Sequence, residues 1–489
     1  IEANRKARIR EQQEYAAFLK RVETGVIQPE DETNLREVEQ VALGMQEKSR
    51  VMRDLGQTQS PENAHRLLLN MDYWDQSVNP YPIRMKLPTS NPEDLLPSLP
   101  DEQRVDLTHL TAYAIDDAGS RDPDDAISLD GSRLWVHIAD VAALVPPDSP
   151  ADLEARARGA SLYLPQGTVT MLPSQATQTL GLGLHETSPA LSFGLELRSD
   201  GSVNLVDIVA SWVRVKRLNY EAAETQLKTE ALHGLYQAVQ QFAERRQANG
   251  AIELNLPEVK VRVADGQVVI SPLRPLESRT LVREAMLMTG EAVARFAQQE
   301  NLPLLYSTQE APDEISDLTS LSGMFAQRRM LKRSQLRGTP ASHAGLGLDV
   351  YAQTTSPLRR YADLVVHQQL RAYLAGDRLL DESEVLARVG AAEAISGSVR
   401  QAERLSNKHW TLVFLDRQRH WSGEAVLVEK MHRRGRVLIP DLDLETVVPL
   451  SQELPLDAKL SVRLKGIDLP LLQASFQIQS IEEGLVGKG

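Results

Sequence analysis

The stretch Ala114-Ile-Asp-Asp-Ala-Gly-Ser-Arg-Asp-Pro-Asp-Asp-Ala-Ile-Ser128 decides how this chain is read. One apolar run, Tyr113–Ile115, leads into it and another, Ala126–Leu129, leads out. Gly119, Ser120 and Pro123 break regular structure between them, so the segment predicts strand, irregular loop, strand. The loop carries Asp116, Asp122, Asp124 and Asp125, with Asp117 beside them. Carboxylates this close repel one another, and holding them together is costly unless a cation neutralises them. Hard oxygens with no His or Cys nearby suit Mg²⁺ or Mn²⁺ rather than Zn²⁺. Mg²⁺ takes one or two protein carboxylates and completes its shell with phosphate and water. The set therefore suits one or two ions, and a pair is the arrangement used for in-line displacement at phosphorus. A solvated acidic turn stays open as the plainer reading. An EF-hand does not, because the spacing is wrong and no Glu closes the loop.

A second constellation lies at Thr355-Ser-Pro-Leu-Arg-Arg-Tyr-Ala-Asp363. Ser356 reads as a helix cap, Pro357 as a first-turn proline, and Arg359 and Arg360 as first-turn residues of a helix running to Ala375. Arginine there opposes the helix dipole, so an anion, and phosphate first, is the natural ligand. Pairing of one arginine with Asp363 or another carboxylate is the alternative. Arg328, Arg329, Lys332, Arg333 and Arg337 form a basic run, and Arg433, Arg434 and Arg436 a smaller one. Each fits either a nucleic-acid backbone track or a solvated face.

Around these sites the 489 residues divide into several units. Residues 1–80 predict a helical module, a small bundle or a helix-turn-helix with a wing. Its helices span Glu2–Glu23, then Pro29 to Gly56, then a third opened by Ser60-Pro61. Six prolines between 79 and 105 mark residues 81–105 as a linker. A mixed α/β body follows over 106–415, with strands at Leu110–Ile115, Ala126–Leu129 and Leu134–Ile138 and helices at Thr280–Glu300 and Leu358–Ala375. Five short strand-like runs between Gly423 and Gln477 predict a closed OB-type barrel over 418–489. The fold class is thus multidomain α+β.

Composition sets the limits. With 42% hydrophobic and 25% charged residues, neither disorder nor a fibrous repeat fits. The absence of cysteine excludes disulfides, cysteine-ligated zinc, iron–sulfur clusters and a thiol nucleophile. No apolar run reaches eighteen residues and the charged start is no secretory signal, which predicts a cytoplasmic protein away from membranes. The first residue, Ile1, marks a trimmed or renumbered start. A net charge of −13 argues against a nucleic-acid coat protein but leaves room for an enzyme with a local basic channel.

Taken together these segments resemble the ribonuclease II family of processive exoribonucleases that act from the RNA 3′ end. The acidic loop looks like the family's Asp-x-Ala-x-Ser-x-Asp-x-Asp-Asp-Ala motif, and Val136-His-Ile-Ala-Asp-Val141 like the strand after it. Ser161-Leu-Tyr-Leu-Pro165, Met171-Leu-Pro173, Val282-Arg-Glu-Ala-Met-Leu287 and Thr355–Asp363 match further ordered motifs. The resemblance implies hydrolysis of single-stranded RNA to nucleoside 5′-monophosphates by a monomer. It implies that Asp116, Asp122, Asp124 and Asp125 hold the metal ions and water, with Asp122 and Asp124 catalytic. Arg359 would stabilise the charge on the scissile phosphate, with Arg360 beside it on the RNA. Glu284 would meet the terminal ribose, and Tyr163 and Tyr220 would stack on bases near the 3′ end. Stacking tolerates any base, which a sequence-independent exonuclease needs. Two departures stand out. Leu254, in Gly250-Ala-Ile-Glu-Leu-Asn-Leu-Pro-Glu258, occupies a position where an aromatic usually completes the clamp. The N-terminal 80 residues are helical where the family usually carries cold-shock barrels.

Overall fold

The computed structural model describes residues 2–93, 95–228 and 230–481. Five strands close into a barrel: Val105–Asp116, Asp125–Asp130, Arg133–Ala139, Ser188–Leu197 and Val203–Asn219. Neighbours pair antiparallel except at the closure, where the first strand runs parallel to the fifth. Side chains alternate with the strand period of two. Tyr113, Ile115, Ile127, Val136, Ile138 and Phe193 face out, into one core with Leu281, Ala285, Met288 and Ala292 of the helix Glu277–Glu300. The inward face is small, with Ala112, Ala114, Ala126 and Ala190 around Trp135, as a narrow barrel requires. On that face His137 joins Ser128 at 2.9 Å and Ser192 at 2.7 Å, and Ser192 meets Ser211 at 2.6 Å. One polar chain thereby ties four strands together.

The barrel fixes the acidic loop at one rim. Asp116 is the last residue of its strand, opposite Asn219, and Asp125 opens the next, opposite Ile138. The strand, loop, strand expectation holds here, with both strands longer than the apolar runs alone suggest.

The N-terminal module is helical throughout its described residues. Glu2–Thr24 stops where Gly25 turns left-handed at φ 70°. The expected continuous helix from Pro29 is interrupted: a 3₁₀ turn Pro29–Asp31 leads into Glu32–Ala42, and Arg50–Asp54 is separate. Gly44, also left-handed, makes the break. Ser60 caps Pro61–Asn70 by accepting the Asn63 N–H at 3.2 Å. No strand occurs among the described residues 2–80, so the wing is absent there. The proline-rich stretch is packed rather than free, with a short helix Tyr81–Arg84 and buried Leu87 and Leu96.

The C-terminal strands Ser422–Met431, Arg434–Ile439, Leu444–Pro449, Lys459–Asp468 and Gln473–Ile481 cover all five expected runs. They form an antiparallel sheet with Ser422–Met431 at its centre, curled into an OB-like half-barrel. Closure is the correction: among the described residues no ladder joins the edges, and Thr446 Oγ1 donates to the Ala474 carbonyl at 3.1 Å instead. Residues 482–489 of the expected unit lie outside the described residues. The 36-residue helix Glu382–Arg417, about 54 Å long, spans both bodies. Val385 and Val389 pack on the mixed α/β body, and Trp410, Leu412 and Val413 on the sheet.

Candidate active site

Asp124 is the best-anchored carboxylate of the loop. Its side chain is 2% exposed. Oδ1 accepts the Leu358 N–H and Oδ2 accepts Arg359 Nε, both at 2.9 Å. This pair joins the acidic loop to the Thr355–Asp363 segment across more than 230 positions of chain. That segment differs from expectation. The helix starts at Tyr361, so Arg359 and Arg360 lie in the turn before it, and Arg360 is the capping position. Ser356 does not cap. Its N–H donates to Asp363 Oδ1 at 2.8 Å, and its carbonyl receives the Arg359 and Arg360 N–H groups. The pairing reading is realised for both arginines. Arg360 pairs with Asp363 at 2.7 Å, while Arg359 pairs with Asp124 and its two terminal amino groups have no hydrogen-bond partner among the described residues.

Tyr163 reaches the same point from the short strand Leu162–Leu164, with its hydroxyl donating to Asp122. Its backbone N–H is held by Glu403 of the long helix at 2.7 Å. Tyr220 follows directly on Asn219, opposite Asp116, and opens the helix Tyr220–Gln226. Burial and the carboxylates around them push both tyrosine hydroxyls up, Asp122 acting on Tyr163 and Asp125 and Asp116 on Tyr220.

Asp116 and Asp125 have no hydrogen-bond or ion-pair partner among the described residues. Burial pushes Asp116 up to about 6, with Asp122 adding to it. Burial and then Asp116 and Asp124 push Asp125 up to about 7. Burial also pushes Asp124 up to about 7, against the pull of Arg359. Burial and mutual repulsion thus raise three carboxyls of the loop together, and the donors are all hard oxygens. The residues therefore fit a divalent cation, although no group of three or more potential ligands is closed around a common point among the described residues.

Several groups that hold the loop carry no local sequence signal. Arg217 donates to the Ser120 carbonyl and Arg262 to the Ala118 carbonyl, both at 2.7 Å. Asp117 receives Lys260 Nζ at 2.6 Å and Arg279 at 2.7 Å. Burial works upward on Asp117, but these two cations hold its carboxyl below the usual range. Glu284 is set apart from the loop. It is fully buried and bidentate to Arg246, at 2.8 and 2.6 Å, with Arg283 Nε at 3.1 Å. Leu254 lies half-buried in an irregular stretch between the helix Glu230–Ala248 and the strand Val259–Ala264. The basic run is only partly paired, with Arg333 and Arg337 exposed and forming no ion pair among the described residues. Its helix ends at Met330, Arg328 and Arg329 pair with Glu445 and Glu429 of the C-terminal sheet, and Lys332 pairs with Asp313. No helix among the described residues is long and apolar enough to cross a membrane.

Comparison with known proteins agrees with this geometry. A family model described as the RNB domain matches residues 104–376, and one described as a double HTH domain matches residues 1–80. An uncharacterized ribonuclease of Synechocystis is 33% identical over 453 residues, covering 86% of this chain and 68% of that protein. The chloroplastic/mitochondrial ribonuclease II of Arabidopsis thaliana is 29% identical, covering 85% of this chain and 56% of that protein. The chain thus spans 68% and 56% of these two relatives. Among solved structures, an active-site mutant of the Dss1 exoribonuclease from Candida glabrata superposes with a TM-score of 0.80 at 19% identity, covering 95% of this chain and 72% of that one. Mycoplasma genitalium RNase R in complex with double-stranded RNA gives 0.71 at 19% identity, covering 82% of each chain. At such identities these two are likenesses of fold. The RNB match covers more than half of the chain and joins the acidic loop to Arg359 in one domain: the chain belongs to the RNB-type exoribonuclease family.

Proposed function

We propose that this protein is a hydrolytic 3′-to-5′ exoribonuclease that degrades single-stranded RNA processively to nucleoside 5′-monophosphates. The reading includes a cytoplasmic monomer acting away from membranes. What supports it is the gathering of Asp116, Asp122, Asp124 and Asp125 towards Arg359 at one rim of the barrel, where burial and mutual repulsion raise the carboxyls of Asp116 and Asp125.

Asp116, Asp122, Asp124 and Asp125 are the residues that hold one or two divalent ions, Mg²⁺ or Mn²⁺. Such ions supply an activated water and charge neutralisation at the scissile phosphate. The protein's own groups do the rest. Asp124 fixes Arg359 through Nε, which aims the two free amino groups at the charge that develops on phosphorus. Arg360, neutralised in part by Asp363, supports the anion site. Tyr163 and Tyr220 flank the carboxylates and offer ring faces to the last bases. Glu284 is the residue we assign to the terminal ribose, a contact that requires one of its bonds to Arg246 or Arg283 to open, and a 2′-OH contact of that kind separates RNA from DNA. Leu254 leaves the far side of the terminal base without an aromatic wall. After cleavage the mononucleotide leaves and the strand advances by one unit. The bounds 1–80, 81–105, 106–415 and 418–489 are the domain division we propose.

The test is Asp124→Asn. The account expects loss of RNA hydrolysis in Mg²⁺ with RNA binding retained. Full activity in that variant would overturn it. Binding without hydrolysis in the wild type would instead make the protein an inactive RNA-binding relative.

A further inference from the structure

Arg279, in the first turn of the helix Glu277–Glu300, sits at a junction that the catalytic reading does not use. Its guanidinium lies 4.0 Å from the centroid of the Tyr220 ring, covering one face. The same guanidinium donates to Asp117 Oδ1 at 2.7 Å, and Lys260 takes the other oxygen at 2.6 Å. The neighbouring Ser278 adds a clamp: its hydroxyl donates to the Tyr220 carbonyl at 2.8 Å, and its N–H donates to Glu224 of the helix that Tyr220 opens. Tyr220 is therefore held by backbone and by ring, while its hydroxyl has no partner among the described residues and faces the field of Asp125 and Asp116.

Two functions could account for this arginine. It could serve only as a counter-charge for Asp117. Lys260 already supplies that charge, and a guanidinium over a ring offers a planar surface that an ammonium cannot. The Tyr220 ring is partly buried against the barrel core and has a cation over it, which holds it as a preset stacking surface.

We propose that Arg279 is a positioning residue. Resting on the exoribonuclease reading, it fixes Tyr220 as the wall against which the terminal nucleobase of an RNA 3′ end stacks. Through Asp117 it ties that wall to the acidic loop, so that wall and carboxylates move together. With Leu254 where an aromatic would add a further wall, a rigid Tyr220 carries more of the stacking. The chemical class recognised is a 3′-terminal nucleoside of any base.

The test uses the full-length protein, an oligoribonucleotide, and two readouts. Binding is measured by equilibrium titration in EDTA, and hydrolysis by KM and kcat in Mg²⁺. Arg279→Lys keeps a charge for Asp117 but loses the planar stack. Expected is a roughly tenfold weaker Kd and higher KM with kcat little changed, within the range of cation–π energies. Thermal melting should stay at the wild-type value, and the effect should vanish in a Tyr220→Leu background. An Arg279→Lys protein with wild-type Kd and KM would overturn the proposal, as would an equal loss in both backgrounds. Failure of the catalytic reading looks different: a wild type that binds RNA without cleaving it, with the Arg279–Tyr220 coupling still visible in the EDTA titration. A wild type that binds no RNA removes both.

Discussion

Asp125→Asn should stabilise the metal-free protein, and only above mildly acid pH. Asp125 has no partner among the described residues, and burial with Asp116 and Asp124 lifts its carboxyl from the ordinary 3.8 to about 7. A carboxyl raised in the folded state binds more protons folded than unfolded between those two values. Stability conferred by the protonated form is therefore present below about pH 4 and lost as pH rises towards 7. At 1.36 kcal/mol per pKa unit the shift corresponds to about 4 kcal/mol, and partial exposure of the group halves this to about 2 kcal/mol at pH 8. For a domain of this size that is a rise of roughly 2–4 °C in the amide variant. The assay is thermal melting in EDTA at pH 4 and pH 8, repeated with Mg²⁺. At pH 4 the variant should match the wild type, and at pH 8 it should melt higher. With Mg²⁺ the order should reverse, because only the wild type retains the full carboxylate set. A variant that melts lower at pH 8 in EDTA, or a difference independent of pH, would refute the claim of an uncompensated carboxylate cluster.

Other predictions concern residues with separate duties. Arg359→Ala should lower kcat by roughly 10²–10³-fold while RNA binding largely survives, read by single-turnover hydrolysis; an equal loss of binding would make the residue structural. Leu254→Phe should hold short oligonucleotides longer and shorten the limit product, by about 1–3 kcal/mol of added stacking, checked by resolving end products on a gel. His137→Ala should break the inner polar chain and leave Ser128 and Ser192 short of partners, costing about 1–3 kcal/mol by melting without changing the cleavage pattern.

The acidic loop was legible because its flanking strands alternate and its Gly and Pro punctuate it, all within fifteen consecutive residues. The five C-terminal strands were legible for the same local reason. Their failure to close was not, since closure depends on contact between the first and last strands of the sheet. The helix start near Arg359 was misplaced because Ser-Pro imitates a cap. There the Ser356 and Leu358 amides answer to Asp363 and Asp124, and Asp124 lies far away in sequence. In the basic run at Arg328–Arg337, the pairing of Arg328, Arg329 and Lys332 with Glu445, Glu429 and Asp313 depends on residues distant in sequence, so nothing local announces it. Arg279 and Lys260 lie more than 140 positions from Asp117, so nothing local announces their bond to it. The break at Gly44 had a signal, a glycine inside a helical pattern, which the apolar spacing around it outweighed.

The central claim is that the Asp cluster and Arg359 cut RNA from its 3′ end. The most direct measurement incubates the protein with 5′-labelled single-stranded RNA, the matching DNA, and the RNA with a blocked 3′ end, each in Mg²⁺ and in EDTA. The account predicts a progressively shortening ladder from the free RNA in Mg²⁺ alone, with mononucleotide released. Cleavage of the blocked RNA or of DNA, or an intact RNA in every lane, would contradict it.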